Sequence, residues 1–97
     1  MQGIRVTLPT ALVLSAFLEG PAEGLYGLQV IRATGMKSGA IYPILRRLED
    51  RGWLTSEWER GFDPRSGGRP ARRYYRLTPG GAERARPLLL AIPALRG

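Results

Sequence analysis

Residues 38–58, SGAIYPILRRLEDRGWLTSEW, decide how this chain folds, because the spacing of apolar residues changes within them. Ile41, Ile44, Leu45 and Leu48 recur at helical spacing, which predicts a helix from a Ser38 cap to about Arg51, with that stripe buried and Gly52 ending it. Leu54, Ser56 and Trp58 then alternate with Thr55, Glu57 and Glu59, the period of a strand. Beyond the Gly/Pro-rich stretch GFDPRSGGRP at 61–70, Arg73, Tyr75 and Leu77 alternate in the same way with Arg72, Tyr74 and Arg76. Two strands around that ten-residue tip make a β-hairpin.

Working outward, a second helix is predicted over about Leu25 to Thr34, with Leu25, Leu28 and Ile31 on one face and Gly35 as its C′ residue. A first helix runs from Thr7 or Leu8 to about Leu18, with Pro9 tolerated in its first turn. Only Thr10 and Ser15 interrupt its apolar surface. A helix apolar nearly all round must be covered on more than one side, and the second cover is expected from another subunit. Ile4-Arg5-Val6-Thr7 alternates briefly, as a short edge strand or an ordered arm. At the other end, Thr78-Pro79 caps and starts a last helix over about residues 79–95. Ala82, Ala85, Leu88 and Leu89 should face inward there, with Pro87 kinking or restarting it. Three short helices, a hairpin and a final helix make a winged helix-turn-helix, a mainly α fold with a small antiparallel β-hairpin.

The chain has 97 residues and a mass of 10.7 kDa, room for one domain spanning residues 1–97. A domain of this size buries roughly 60–65% of its unfolded surface, so its core is marginal alone. With no cysteine there is no disulfide framework, zinc knuckle or thiol nucleophile, and with no histidine the usual metal ligand and general base are missing. An enzyme is not expected, nor a cofactor. The apolar run Ala11 to Leu18 falls far short of the ~20 residues that span a bilayer, so no membrane partner is expected. Arg5 ahead of that run faintly mimics a signal peptide, but Glu19-Gly20-Pro21 is a poor cleavage region, and a cytoplasmic protein is expected.

Charge gives the first positive clue. Net charge is +7 and the isoelectric point about 11.0, a balance that suits an anionic partner. The excess is lopsided: residues 1–45 carry three cations (Arg5, Arg32, Lys37) against two anions, and residues 46–97 carry twelve against six. Arg65, Arg69, Arg72, Arg73 and Arg76 fall in the hairpin without an acid among them in sequence, a pattern that can clamp phosphates or enter a minor groove. The turn Met36-Lys37-Ser38-Gly39-Ala40 feeds the third helix, and a Ser38 cap leaves the amides of Gly39, Ala40 and Ile41 free at a positive helix end that suits a phosphate. Gly39 lets a DNA backbone approach closely, and Pro43 gives up the helical hydrogen bond to Gly39. Tyr42 and Arg46 stand one turn apart on the non-core face, both able to reach a major groove, while Glu49 and Asp50 exclude the far end of that helix from DNA.

Plainer roles stay open at each position. Ser38 is a good cap in any helix, Tyr42 and Arg46 can form a solvated face, and basic loops are often merely solvated. Trp53, Trp58 and Tyr75 could stack on single strands, but core packing of the small sheet is favoured for all three.

Read in order, several motifs resemble the PadR family of winged-helix transcriptional regulators, along roughly residues 11–82. They are Leu18-Glu19-Gly20-Pro21, Leu25-Tyr26-Gly27, the run from Thr34 to Leu45, Arg47-Leu48-Glu49 with Gly52, Ser56-Glu57-Trp58-Glu59, Gly68-Arg69-Pro70 and Tyr74-Tyr75-Arg76-Leu77-Thr78. The resemblance implies a homodimeric regulator of double-stranded DNA, usually a repressor, with its third helix in the major groove and its wing at the neighbouring minor groove. By motif match it implies that Tyr26, Ser38, Gly39, Tyr42, Pro43, Arg69 and Tyr75 contact DNA or shape the site. Ala40 stands where such proteins commonly carry Thr or Ser, which removes one polar groove contact. The final segment is short and broken by Pro87 and Pro93, where many members have a longer dimerisation helix. Some members bind planar aromatic compounds near the dimer interface; the first and last helices here offer no convergent polar or aromatic set for such an effector.

The expected DNA surface is therefore Tyr26, Lys37, Ser38, Gly39, Ala40, Tyr42, Pro43, Arg46, Arg69, Arg72, Arg73 and Tyr75. The expected dimer contacts are Leu8, Leu12 and Leu14 of the first helix with Leu88, Leu89 and Ile92 of the last. The alternative is a protein-interaction module that docks a larger partner through the first helix and Leu88 to Leu95. An acid-free wing favours DNA; a wing of mixed charge favours docking.

Overall fold

The computed structural model describes residues 3–63, 65 and 67–92. Its hub is helix α1 (Leu8–Glu19), capped by Thr7, whose hydroxyl accepts the Thr10 N–H at 3.4 Å. Ala11, Val13, Leu14 and Phe17 are buried, and α1 touches all three of the other helices described below. Much of its apolar surface is thus covered within the one chain. Leu14 is fully buried and so is not a surface residue, whereas Leu8 is exposed and Leu12 half-buried. Residues 3–7 form no strand; they are an ordered arm whose Ile4 packs on the core.

Leu25 and Tyr26 are not the first turn of a helix but a strand, β1 (Leu25–Tyr26), and helix α2 covers Gly27–Thr34. Local periodicity misses β1 because its partner is fifty residues away in sequence: Leu25 faces Tyr75 and Tyr26 faces Tyr74 in an antiparallel pair. The later start also turns the helix. Val30 is fully buried, Ile31 partly so, and Leu28 points to solvent. Helix α2 ends at Gly35, whose φ of 72° lets its N–H return to the Ile31 carbonyl at 2.9 Å.

Helix α3 (Ser38–Asp50) buries Ile41, Ile44, Leu45 and Leu48, the stripe expected from their spacing. Its N-cap is Lys37, one residue before the Ser38 expected there, and no side chain caps it. At its far end Gly52 N–H bonds to the Glu49 carbonyl and Trp53 N–H reaches the Leu48 carbonyl at 2.9 Å, a Schellman closure that leads straight into a strand. Strand β2 (Leu54–Trp58) pairs antiparallel with β3 (Arg73–Leu77), Leu54 opposite Leu77 and Trp58 opposite Arg73. The sheet thus has three strands in the order β1-β3-β2, one more than the hairpin alone. Of the aromatic residues expected in the core, Trp53 is buried and Tyr75 packs half-buried against it, but Trp58 is 60% exposed because it ends β2 beyond the reach of the helices.

Thr78 closes the domain. Its hydroxyl donates to the Gly52 carbonyl at 2.8 Å and accepts the Gly81 N–H at 2.9 Å, so one side chain ties the end of α3 to the start of helix α4 (Pro79–Leu90). Helix α4 continues through Pro87, which removes the hydrogen bond to the Glu83 carbonyl without ending the helix. Ala85 and Gly81 are buried, Ala82 and Leu89 partly, while Leu88 turns outward rather than inward as expected. The helix ends at Leu90, short of the predicted 95; Pro93 and Leu95 lie outside the described residues. Together α1–α3, the sheet and α4 form a winged helix. Among the described residues, no helix is long and apolar enough to cross a membrane.

Candidate nucleic-acid interface

Helix α3 turns its N-terminal half to solvent. Lys37, Ser38, Gly39, Ala40, Tyr42, Pro43 and Arg46 are all exposed. The Ala40 and Ile41 N–H groups both donate to the Lys37 carbonyl, at 3.0 and 3.1 Å. The amides left without a helical acceptor are therefore those of Ser38 and Gly39, one residue earlier than predicted, and no acid lies in the first turn. The Ser38 hydroxyl, released from capping, stands exposed beside them. A positive helix end of this kind attracts an anion.

Facing this helix, the sheet and the wing enclose a cleft of about 420 Å³. Six of the expected residues, Tyr26, Tyr42, Arg69, Arg72, Arg73 and Tyr75, line it together although they come from four separate segments. The other six (Lys37, Ser38, Gly39, Ala40, Pro43 and Arg46) lie on α3 outside its wall. Leu28, Trp58, Pro70 and Ala71 complete the lining with Gly27, and none of these was expected from the sequence.

The arginines of the wing are not equivalent. Arg69 grips Glu59 with both terminal nitrogens, 2.9 Å to each carboxylate oxygen. The same carboxylate accepts the Arg72 backbone N–H at 3.2 Å, and the Glu59 N–H donates to the Arg72 carbonyl at 2.8 Å. The Arg69 hydrogen bonds, helped by that backbone N–H, hold the Glu59 carboxyl far below its usual range, to about 2, and Glu59 in turn raises the Arg69 guanidinium. Bidentate geometry of this kind fixes the wing base more firmly than a single-point pair. Arg73 lies 3.7 Å from Glu49 of α3 and 5.1 Å from the centre of the exposed Trp58 ring. Glu49 also accepts a hydrogen bond from the Ser56 hydroxyl, so α3, β2 and β3 meet at one carboxylate. Arg60–Glu57 and Arg65–Asp63 are exposed pairs of little energetic weight.

The expectation of a wing without nearby acids is thereby corrected. Its sequence between Arg65 and Arg76 holds none, but the fold brings Glu59 from the opposite strand and Glu49 from the helix. Arg72 differs from its neighbours. Its guanidinium lies 4.3 Å over the Tyr26 ring and makes no ion pair among the described residues. Tyr26 in turn stands edge-on to Tyr74, with 5.3 Å between ring centres, so the platform under Arg72 is itself braced. Burial, followed by the charge of Glu49, pushes the Tyr75 hydroxyl above its usual value.

An open helix N-terminus beside an arginine-bearing hairpin, on three helices and a small sheet, defines a winged-helix protein of the DNA-regulator class. Residues 13–86 match the family described as "Transcriptional regulator PadR-like family", and the chain belongs to that family. The family is one of transcription regulators, not enzymes.

Solved structures agree. A PadR family transcriptional regulator from Eggerthella lenta shares 32% identity and a TM-score of 0.63, the match covering 81% of this chain and 66% of that one. A PadR-like transcription factor from Bacteroides fragilis shares 27% identity at a TM-score of 0.62, covering 84% and 75%. Bacillus subtilis PadR, solved in complex with operator DNA, superposes at a TM-score of 0.70 with 20% identity, covering 89% of this chain and 49% of that one, a likeness of fold. The comparison with curated proteins finds no match.

Proposed function

We propose that this chain is a sequence-specific, double-stranded DNA-binding repressor that acts in the cytoplasm as a homodimer on a pseudo-palindromic operator. One observation carries the reading: six of the twelve residues picked from sequence for DNA contact line a single cleft, and the other six lie at and after the bare N-terminus of α3. A helix in a major groove presents its N-terminal residues to base edges, and a hairpin alongside meets the backbone. Ser38, Gly39, Tyr42 and Arg46 then face the groove, and Arg72, which makes no ion pair among the described residues, meets a phosphate from the wing. The operator DNA bound to Bacillus subtilis PadR supports the same use of this fold.

The dimer is expected to form on the apolar edge left by α1 and α4. Leu8 on α1 is 52% exposed, and Leu88 and Leu90 on α4 are 37% and 66% exposed, apolar surface that an interface between copies would cover. Leu12, Leu89 and Ile92 are partly buried and can add to it, whereas Leu14 is fully buried and cannot. Two-fold symmetry then sets half-sites about one helical turn apart.

A second reading, a protein-docking module, gains from the ion pairs. Glu59 and Glu49 neutralise Arg69 and Arg73, which gives the wing a mixed charge that suits an acidic-and-basic partner surface. Selection of bound fragments from genomic DNA with the purified protein at fixed salt separates the two. Enrichment of a common two-fold motif supports the repressor, and an unenriched pool supports docking.

A further inference from the structure

Glycine is a poor first residue for a helix unless backbone or neighbour requires it, since it has more freedom to lose on folding than alanine. Gly24, Gly35, Gly52, Gly61 and Gly68 have positive φ, which accounts for them. Gly27, the first residue of α2, does not. Its neighbour accounts for it instead. A Cβ on Gly27 would stand 2.3 Å from the Tyr42 hydroxyl oxygen and 2.7 Å from Cε1 and Cζ of the same ring, where real Cβ atoms essentially never come within 3.0 Å. The Tyr42 ring therefore rests directly on the bare backbone where α2 begins.

We infer that Gly27 is a positioning residue for DNA reading: it provides the flat seat that holds the Tyr42 ring and fixes where its hydroxyl stands in the cleft. The inference rests on the proposed DNA role of that cleft, which both residues line. Tyr42 is 48% exposed, so its outer side has no protein to hold it. Removal of the seat frees the ring among its other staggered rotamers and loses the pre-organisation on which selective contacts depend. The atoms that a methyl group would strike belong to the far end of one flexible side chain, not to backbone. Gly27→Ala can thus be absorbed by a swing of Tyr42 while the fold stays intact, and alanine is the better helix former. The two helices of the helix-turn-helix are in this way coupled through the contact between the Gly27 backbone and the Tyr42 ring.

The test is a double-mutant cycle on the duplex that wild-type protein selects from a random-sequence library, with a random duplex as control. Gly27→Ala should keep the thermal midpoint and the affinity for random duplex, yet bind the selected duplex about three- to tenfold more weakly. In a Tyr42→Ala background the same change should cost nothing further. An equal loss in both backgrounds overturns the inference, because Gly27 would then act without Tyr42. A DNA-free readout separates this from failure of the DNA reading itself. Ring current from Tyr42 should displace the Gly27 Hα signal in wild type and not in Tyr42→Ala; absence of that difference overturns the seat. If the shift is present but Tyr42→Ala binds the selected duplex normally, Gly27 still seats the ring, but the proposed role in DNA reading is overturned.

Discussion

Arg72→Ala removes a cleft-lining wing arginine that makes no ion pair among the described residues. Arg69 is held by Glu59 and Arg73 lies near Glu49, whereas the Arg72 guanidinium rests on the Tyr26 ring without an ion pair among the described residues. Each phosphate neutralised by a cation adds roughly −0.9 to the slope of log affinity against log salt. A dimer that loses two such contacts should therefore show a slope flatter by about 1.8. Between 50 and 200 mM salt this amounts to about a twelvefold smaller fall in affinity than for wild type. The loss should be alike on selected and random duplexes, because a phosphate contact carries no base information. Fluorescence-anisotropy titrations at four salt concentrations measure it. Arg69→Ala serves as the internal comparison: its charge is compensated in the free protein, so its slope should change by less than half as much. A wild-type slope in Arg72→Ala, or a larger change in Arg69→Ala, would refute the division of labour among the wing arginines.

Three further outcomes are expected. Tyr42→Ala removes a neutral groove contact, so titration should show an unchanged salt slope and a loss of about 1–3 kcal/mol confined to the selected duplex. Glu59 is held down to about 2, below its usual range, so its pair with Arg69 contributes stability that is complete above the usual carboxylate range and fades as pH falls through that range toward about 2. Urea melts of wild type and Glu59→Gln should accordingly differ at pH 7 and converge at about pH 2. Leu14→Ala should cost about 2–5 kcal/mol in the same melts, as a core cavity does, while Leu88→Lys should convert dimer to monomer in sedimentation equilibrium and make the melting midpoint independent of protein concentration.

The two periodic signals carried most of the fold. The α3 stripe and the strand alternations of β2 and β3 are local patterns, and the structure places Ile41, Ile44, Leu45, Leu48, Leu54 and Leu77 accordingly. What local reading missed is long-range. β1 exists only because β3 is there to pair with it, and its two residues read as helix when taken with Leu28 and Ile31. Leu14 read as interface because nothing in its own helix says which neighbours will cover it. The candidate site divides in the same way. Its residue types were legible one by one, but the acids that quench Arg69 and Arg73 were not, since fourteen residues separate β2 from β3 and leave the register across the wing open. Glu59 faces Arg72 only once Trp58 is known to face Arg73. Gly27 had a signal, a glycine directly before a helical run, but its meaning required the position of Tyr42.

The most direct test of DNA reading by this cleft compares one pair of affinities at fixed salt: wild-type protein on its selected duplex, and on a shuffled duplex of the same length and composition. Specific recognition by a winged-helix dimer should favour the selected duplex by at least about a thousandfold. Equal affinity for the two, at any concentration that binds, would mean that the cleft meets DNA only as a basic surface and would contradict sequence-specific regulation by this chain.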